Sequence, residues 1–155
     1  VMRTFSKAFG LAGVRLGVLM GHPDLIQEIE KSRLPFLVGR LGEEIGLAIL
    51  DRRDLVDQRV AELMAEREAV EVFCETLPGV EVLPGAANFF LLRSPLDPKD
   101  LQARLAERGV LVRDVTGYPA LAGQDGQPGW LRISIGAPSE NQAIRQALSH
   151  VLGEE

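Results

Sequence analysis

The residues best suited to chemistry in this sequence lie near its start. Two arginines, two hydroxyl residues, one lysine and three glycines share this segment: Arg3, Thr4, Ser6, Lys7, Gly10, Gly13, Arg15 and Gly17. Glycine lets backbone N–H groups approach a ligand closely, and a guanidinium group can bind a phosphate through two hydrogen bonds. A lysine amine can lose its proton and attack a carbonyl carbon, which arginine cannot do. The segment therefore indicates a site for an anionic, phosphate-bearing ligand beside an amine suited to carbonyl chemistry.

Spacing alone leaves other interpretations of this segment open. Lys7 could be a solvent-exposed lysine at a strand entrance punctuated by glycines. The glycine spacing matches neither the dinucleotide fingerprint nor the phosphate-binding loop of nucleotide hydrolases. Thr4 and Lys7 have the spacing of a hydroxyl–lysine acyl-transfer pair, a short pattern that is common by chance.

The composition excludes several classes of function. The 155 residues are 46% hydrophobic and 25% charged, with a formal net charge of −5, so no basic field would attract nucleic acid or anionic lipid. Cys74 is the one cysteine, and His22 and His150 lie far apart, which argues against a disulfide and a zinc site. We expect a cytoplasmic protein without a membrane span, a metal or a nucleic-acid partner, and we expect Cys74 in the core.

The elements that must position these residues follow from the apolar periodicity. The first half of the chain predicts a strand over 14–21, a helix that begins at Pro23, and a long helical region over 41–75 with a break near 51–54. The charged residues of the long helix, including Glu66 and Arg67, are expected on its solvated face.

The second half predicts a small α+β layer with helices on one face of a short sheet. Its expected strands cover 80–83, 88–92, 110–113 and 130–135. One helix begins at Pro98 and has Gly109 near its end. A last helix runs through Leu152, with Ser139 and Gln142 as its capping box.

Residues 3–17, Arg-Thr-Phe-Ser-Lys-Ala-Phe-Gly-Leu-Ala-Gly-Val-Arg-Leu-Gly, resemble the cofactor-lysine segment of fold-type I aminotransferases that depend on pyridoxal 5'-phosphate (PLP). Within them the segment is most similar to the histidinol-phosphate aminotransferase branch. The later segments 88–90, 112–114 and 131–136 match in the same order. The resemblance covers essentially the whole chain but less than half of such an enzyme. It implies an α/β fold, with the end of the large PLP-binding domain over 1–50, a connecting helix over 51–75 and a small C-terminal α+β domain over 76–155.

The same resemblance assigns roles around the cofactor. Lys7 would hold PLP as a Schiff base and then move a proton between the substrate α-carbon and the cofactor. Ser6 and Arg15 would hold the PLP phosphate, with Thr4 as a weaker candidate.

Two further arginines are assigned to the substrate by the resemblance. Arg132 would receive the substrate carboxylate or an equivalent anion, and Arg113 would make a second contact with an anionic group. Such a pair could serve a phosphate in one half-reaction and a carboxylate in the other.

The activity implied is transfer of an amino group between histidinol phosphate and 2-oxoglutarate in histidine biosynthesis, by a homodimer acting on small amino and keto acids. A threonine-phosphate decarboxylase-like lyase, an aromatic aminotransferase and a non-catalytic fragment stay open as alternatives. The family's aspartate for the pyridine nitrogen, its ring-stacking aromatic residue and a cofactor-contacting asparagine all precede the lysine. Segment 34–39 also departs from the Pro-Tyr-Asn-Val-like run of the family. The chain by itself is therefore expected to be incomplete and inactive.

Overall fold

The chain divides into a first unit, Val1–Ala61, and a second unit, Glu62–Glu155. The computed structural model describes residues 1–124 and 126–153. Each unit contains an antiparallel sheet, with two strands in the first and four in the second. No helix in the described part of the chain has both the length and the apolar character needed to cross a membrane.

The two strands of the first unit lie on either side of the lysine segment in the sequence. Strand β1, Met2–Thr4, pairs antiparallel with strand β2, Gly17–Leu19, so that Met2 lies opposite Leu19. The strand predicted over 14–21 is therefore shorter than expected. The reason is local: residues Ala12–Val14 form a 3-10 turn and Arg15 adopts a left-handed conformation with φ 57°, which is incompatible with an extended strand.

Three helices follow β2. Helix α1, Pro23–Glu30, begins at the predicted proline, whose missing N–H costs nothing in a first turn. Helix α2, Arg40–Leu50, and helix α3, Arg53–Glu75, replace the predicted long helical region. The expected break is confirmed, since Asp51 and Arg52 separate the two helices.

The second unit is built on a four-stranded sheet. Its strands are β3, Glu81–Leu83; β4, Phe89–Arg93; β5, Arg113–Asp114; and β6, Leu131–Ser134. They are ordered β3-β4-β6-β5, and each neighbouring pair is antiparallel. The two central strands, β4 and β6, thus match their predicted segments to within one residue at each end.

The strand predicted over 110–113 is wrong in its extent. Helix α4, Pro98–Ala106, ends in a turn in which Gly109 has φ +76°. Val110 is buried and donates its N–H to the Leu105 carbonyl at 3.0 Å, so it closes this turn instead of entering the sheet. Pairing starts only at Arg113.

The core of the second unit lies on one face of the sheet. Alternate residues of the central strands, Phe90 and Leu92 on β4 and Leu131 and Ile133 on β6, are at most 1% exposed. Residues of α3, α4 and helix α5, Pro138–Leu152, join the same apolar cluster: Val70, Cys74, Leu101, Leu105 and Leu148. The predicted arrangement of helices on one face is confirmed, and the opposite face of the sheet is left for other side chains.

The capping box predicted from Ser139 and Gln142 is wrong. Helix α5 begins at Pro138, and the Glu140 carboxylate accepts a hydrogen bond from the Ala137 N–H at 2.7 Å. Pro138 suits the first helical position because of its fixed φ, and this places the third helical position at Glu140.

The Cys74 thiol should be unreactive toward thiol reagents in the folded protein. Burial raises the pKa of its thiol to about 12, helped by the nearby Glu71 and Glu75 carboxylates, so the reactive thiolate is scarce at neutral pH. We expect a maleimide or disulfide reagent to label the protein rapidly in concentrated urea and at a rate at least about a hundredfold lower without it. Since Cys74 is the one cysteine of the sequence, the label reports on this site alone. Rapid labelling of the native protein would contradict its burial.

Candidate functional site

Lys7 lies on an ordered loop between β1 and β2. Phe5 is buried, and its ring packs against Phe9 with the ring centroids 4.6 Å apart. The Phe5 N–H donates to the Leu16 carbonyl at 3.1 Å, and the Gly10 N–H donates to the Lys7 carbonyl at 2.8 Å. The backbone around the lysine is thus fixed by its own loop, while the Lys7 side chain is exposed.

Of the polar residues predicted beside Lys7, Ser6 and Arg15 lie on the same loop and Thr4 lies at the end of β1 that leads into it. The Thr4 hydroxyl accepts a hydrogen bond from the Ser6 N–H at 3.1 Å, which leaves the hydroxyl hydrogen available to a ligand. Arg15 donates from Nη1 to the Ala12 carbonyl at 3.0 Å and holds a left-handed backbone that is costly for a residue other than glycine. The loop and the last residue of β1 therefore carry an amine, two hydroxyls and a guanidinium group.

The glycines of the loop leave space for a ligand. A Cβ atom built at Gly10 or Gly13 would meet no atom within 4 Å, so their backbone is open to approach. Hydroxyl and guanidinium donors suit a phosphate, and the Lys7 amine suits a carbonyl carbon. The residues present fit the phosphate-bearing cofactor that the sequence predicts.

In the second unit, two arginines face each other across neighbouring strands. The register of β5 and β6 places Arg113 directly opposite Arg132. Side chains in such positions lie about 4.5–5.5 Å apart at their Cβ atoms, and like charges there repel. A bound anion would remove that repulsion, which makes this pair a candidate anion site.

The Arg132 side chain has a donor without an acceptor. Its Nε atom is buried and has no hydrogen-bond partner among the described residues. Most buried polar groups in proteins are hydrogen-bonded, so this donor is a candidate contact for an anion. The Nε of Arg67 is also without a hydrogen bond among the described residues, but it has the Glu71 carboxylate 3.4 Å away. The guanidinium carbon lies 5.1 Å from the centroid of the Phe89 ring, which supports it from one side.

The predicted site residues thus divide between the two units. Thr4, Ser6, Lys7 and Arg15 share the loop of the first unit, and Arg113 and Arg132 share the β5–β6 ladder of the second. Among the described residues, no group of three His, Cys, Asp or Glu side chains could hold a metal ion.

Sequence reasoning missed a buried ion pair on α3. Arg67 was expected in solvent, but the side chains of Arg67 and Glu71 are only 13% and 11% exposed, with Nε and Oε1 3.4 Å apart. Arg67 also donates to the Ala87 carbonyl at 2.9 Å, and Glu71 accepts from the Gly85 N–H at 3.1 Å. The signal was present, since positions 67 and 71 are adjacent to the apolar stripe through Val70.

A second buried polar group joins α3 to the end of β6. The Asn141 side chain is fully buried; its Oδ1 accepts from the Gly136 N–H at 2.9 Å and its Nδ2 donates to the Gly136 carbonyl at 3.1 Å. Nδ2 also donates to Glu66 Oε2 at 2.9 Å, so the expectation that Glu66 is only solvated is wrong. These bonds fix the chain just beyond the strand that carries Arg132.

The loop that follows β5 is held by a turn next to Arg113. Asp114 accepts a hydrogen bond from the Thr116 N–H at 2.8 Å. The Thr116 hydroxyl and N–H lower the pKa of Asp114 below its ordinary value of 3.8, with a smaller contribution from Lys99. The turn is therefore intact above that value and is lost only as the pH falls below it.

Comparison with known proteins gives a family match over most of the chain. Residues 1–151 match the model of the family described as aminotransferase class I and II. The chain is 43% identical over 150 residues to histidinol-phosphate aminotransferase 1 of Ralstonia nicotianae, a match that covers 96% of the chain and 38% of that protein. The chain spans about 40% of the length of the curated relatives that it matches.

Two solved structures share the fold over nearly the whole chain. The histidinol-phosphate aminotransferase of Sinorhizobium meliloti, solved in complex with pyridoxal 5'-phosphate, is 26% identical with a TM-score of 0.78, covering 97% of this chain and 40% of that one. The L-threonine-O-3-phosphate decarboxylase of Porphyromonas gingivalis is 26% identical with a TM-score of 0.83, covering 99% of this chain and 46% of that one.

Replacing Arg113 should weaken anion binding and keep or raise the stability of the anion-free protein. In chloride, we expect Arg113→Gln to leave the free energy of unfolding unchanged or to raise it by up to about 1 kcal/mol, because the repulsion with Arg132 is removed. In phosphate at equal ionic strength, the wild-type protein should gain more stability than the variant. Urea denaturation in both salts measures the two effects.

Arg104→Gln on the exposed surface of α4 is the matched control for the loss of one positive charge. It should show the same gain in phosphate as the wild-type protein. Equal phosphate gains in the wild-type protein and in Arg113→Gln would argue against an anion site at this pair.

Proposed function

The chain belongs to the aminotransferase class I and II family, and from that premise we propose that the whole protein is a PLP-dependent aminotransferase acting on histidinol phosphate and 2-oxoglutarate. The observation that carries this proposal is the arginine pair of β5 and β6, with the unpartnered Nε of Arg132. Both substrates carry anionic groups that such a pair can bind. The identity of 43% to a histidinol-phosphate aminotransferase supports the choice of substrate.

The loop of the first unit would hold the cofactor. The Ser6 and Thr4 hydroxyls and the Arg15 guanidinium would donate hydrogen bonds to the cofactor phosphate. These bonds would be strong because the phosphate is charged. Bound PLP supplies an electron-accepting ring that stabilises negative charge at the substrate α-carbon. Lys7 Nζ would accept the proton that leaves this carbon and return it to the product side, so Lys7 is the proposed catalytic residue.

The arginine pair would orient the substrate. Arg132 can bind a carboxylate through two parallel N–H donors, which fixes the position of the α-carbon as well as supplying affinity. Arg113, directly opposite, would contact a second anionic group: the phosphate of one substrate or the distal carboxylate of the other. One pair of guanidinium groups thus serves both half-reactions.

A second candidate is decarboxylation of a phosphorylated amino acid. It is favoured by the TM-score of 0.83 to an L-threonine-O-3-phosphate decarboxylase, a protein named for a substrate that also joins a phosphate to an amino acid. The same loop and the same arginines would bind it. The two reactions differ in the product: carbon dioxide marks the lyase, and glutamate formed from 2-oxoglutarate marks the aminotransferase.

The proposed organisation follows the family resemblance. We assign 1–50 to the end of the large PLP-binding domain, 51–75 to a connecting helix and 76–155 to the small C-terminal domain. The whole protein is proposed to be a cytoplasmic homodimer whose ligands are small amino and keto acids, with no nucleic-acid or membrane partner.

Loss of Lys7 should abolish the reaction. In the whole protein loaded with PLP, we expect Lys7→Ala to lower glutamate formation from histidinol phosphate and 2-oxoglutarate by at least about a hundredfold, the smaller end of what a positioned proton-transfer group contributes. Borohydride reduction with PLP should label Lys7 in the wild-type protein, as peptide mass mapping would show.

Lys31→Ala is the matched control, because the Lys31 side chain is exposed and forms a surface ion pair with Glu28 at 2.5 Å. It should keep full activity and full labelling. Normal turnover by Lys7→Ala would exclude the proposed function, and release of carbon dioxide from threonine phosphate without amino transfer would favour the second candidate.

A further inference from the structure

We propose that Phe89 is a positioning residue for Arg132. The Phe89 ring holds the Arg132 guanidinium group in one plane and leaves the N–H donors of that group free for the substrate anion. The proposal rests on the proposed function, because it deepens the role given there to Arg132. It concerns only residues of the second unit.

The sheet register brings the two side chains together. Phe89 on β4 lies opposite Ser134, and Leu91 lies opposite Arg132, so Phe89 and Arg132 are diagonal neighbours on the same face. The guanidinium carbon of Arg132 lies 5.1 Å from the ring centroid, within the range of a cation–π contact. Such a contact uses the flat face of the guanidinium group, whereas hydrogen bonds use its edge.

A neighbouring arginine, Arg93, also stacks on an aromatic ring, but its hydrogen-bond donors are occupied by a carboxylate. Arg93 stacks on Trp130 at 4.7 Å, on the same face of the same sheet. Its edge, however, is occupied by Glu81, which accepts hydrogen bonds from Nε at 3.1 Å and from Nη2. Arg132 has the same aromatic support, yet its buried Nε has no acceptor among the described residues. Of the two stacked arginines, Arg132 is therefore the one whose edge is not bonded to a carboxylate of the described residues.

The backbone that precedes Phe89 is fixed on α3. Gly85 approaches the Phe89 carbonyl so closely that a Cβ atom built there would lie 2.0 Å from the oxygen. The buried pair Arg67–Glu71 binds this turn at the Ala87 carbonyl and the Gly85 N–H. The ring is thus part of a rigid support behind the guanidinium group, which reduces the freedom that Arg132 loses on binding.

The test compares Phe89→Leu with Phe89→Tyr in the whole protein loaded with PLP. Leucine keeps an apolar side chain but has no ring, so we expect the KM for 2-oxoglutarate to rise about threefold to about tenfold, with kcat within about twofold of wild type. Tyrosine keeps the ring face and should restore KM to within about twofold. The Kd of succinate, a dicarboxylate that cannot react, should shift with KM.

Phe73→Leu is the matched control, since Phe73 is a half-buried phenylalanine of α3 packed against the core. It should lower Tm and leave KM and the succinate Kd unchanged. If Phe89 had a purely structural role, Phe89→Leu would behave like Phe73→Leu: Tm would fall, less protein would be active, and KM would be unchanged. That result would overturn the proposal.

Two other outcomes also overturn the proposal: a KM and succinate Kd of Phe89→Leu within twofold of wild type, or equal rises in the leucine and tyrosine variants. Failure of the proposed function is distinguishable, because it would appear in the wild-type protein as an absence of amino transfer. The succinate titration would then still test the support of Arg132 by Phe89, and a wild-type protein that binds no succinate would exclude it.

Discussion

The second unit depends on holding two positive side chains, Arg113 and Arg132, directly opposite each other across antiparallel strands. Repulsion between like charges in this position opposes the pairing of β5 with β6. The pairing persists because β6 is a central strand, bonded on its other edge to β4 and anchored through Leu131 and Ile133 in the apolar core. Burial of that core is the dominant favourable term in folding, so it can offset the unfavourable charge pair. Burial on one face of the sheet thereby holds Arg113 and Arg132 opposite each other on the other face.

Helix α3 contributes to this arrangement through the core and through polar contacts with the chain segments next to the central strands. Its apolar residues, such as Val70, belong to the core, while Glu66, Arg67 and Glu71 reach the two chain segments that flank the central strands. Buried ion pairs are weak evidence for stability, because desolvation of the charges offsets much of their attraction. The value of the Arg67–Glu71 pair is geometric, because it fixes the turn where β4 begins. The hydrogen bond from Asn141 to Glu66 likewise fixes where β6 leaves the sheet. The positions of Phe89 and Arg132 are set by the fixed start of β4 and the fixed end of β6.

The lysine loop achieves its arrangement by local means. Its hydrogen bonds join residues that are close in sequence, and its polar groups lie within a short segment that ends at the left-handed Arg15. Such a segment can be recognised from the sequence, because local contacts and glycine positions need no distant partner. The same holds for helices α1 to α4, whose starts and ends follow from proline, glycine and apolar periodicity. The strand expected over 110–113 and the cap expected at Ser139 were wrong because a neighbouring turn residue, Gly109 or Pro138, moved the boundary.

The sequence by itself determined which polar groups the lysine segment carries, the helical framework and the two central strands, since each depends on residue type and short-range periodicity. The tertiary structure alone decided that Arg113 lies opposite Arg132, that the Phe89 ring lies 5.1 Å from the Arg132 guanidinium carbon, and that the Arg67 side chain is only 13% exposed. Each of these facts requires the pairing of strands or helices that are distant in sequence. A strand's periodicity states which residues share a face, but it does not state which residue of another strand lies opposite. That register is set by the packing of the whole sheet against its helices.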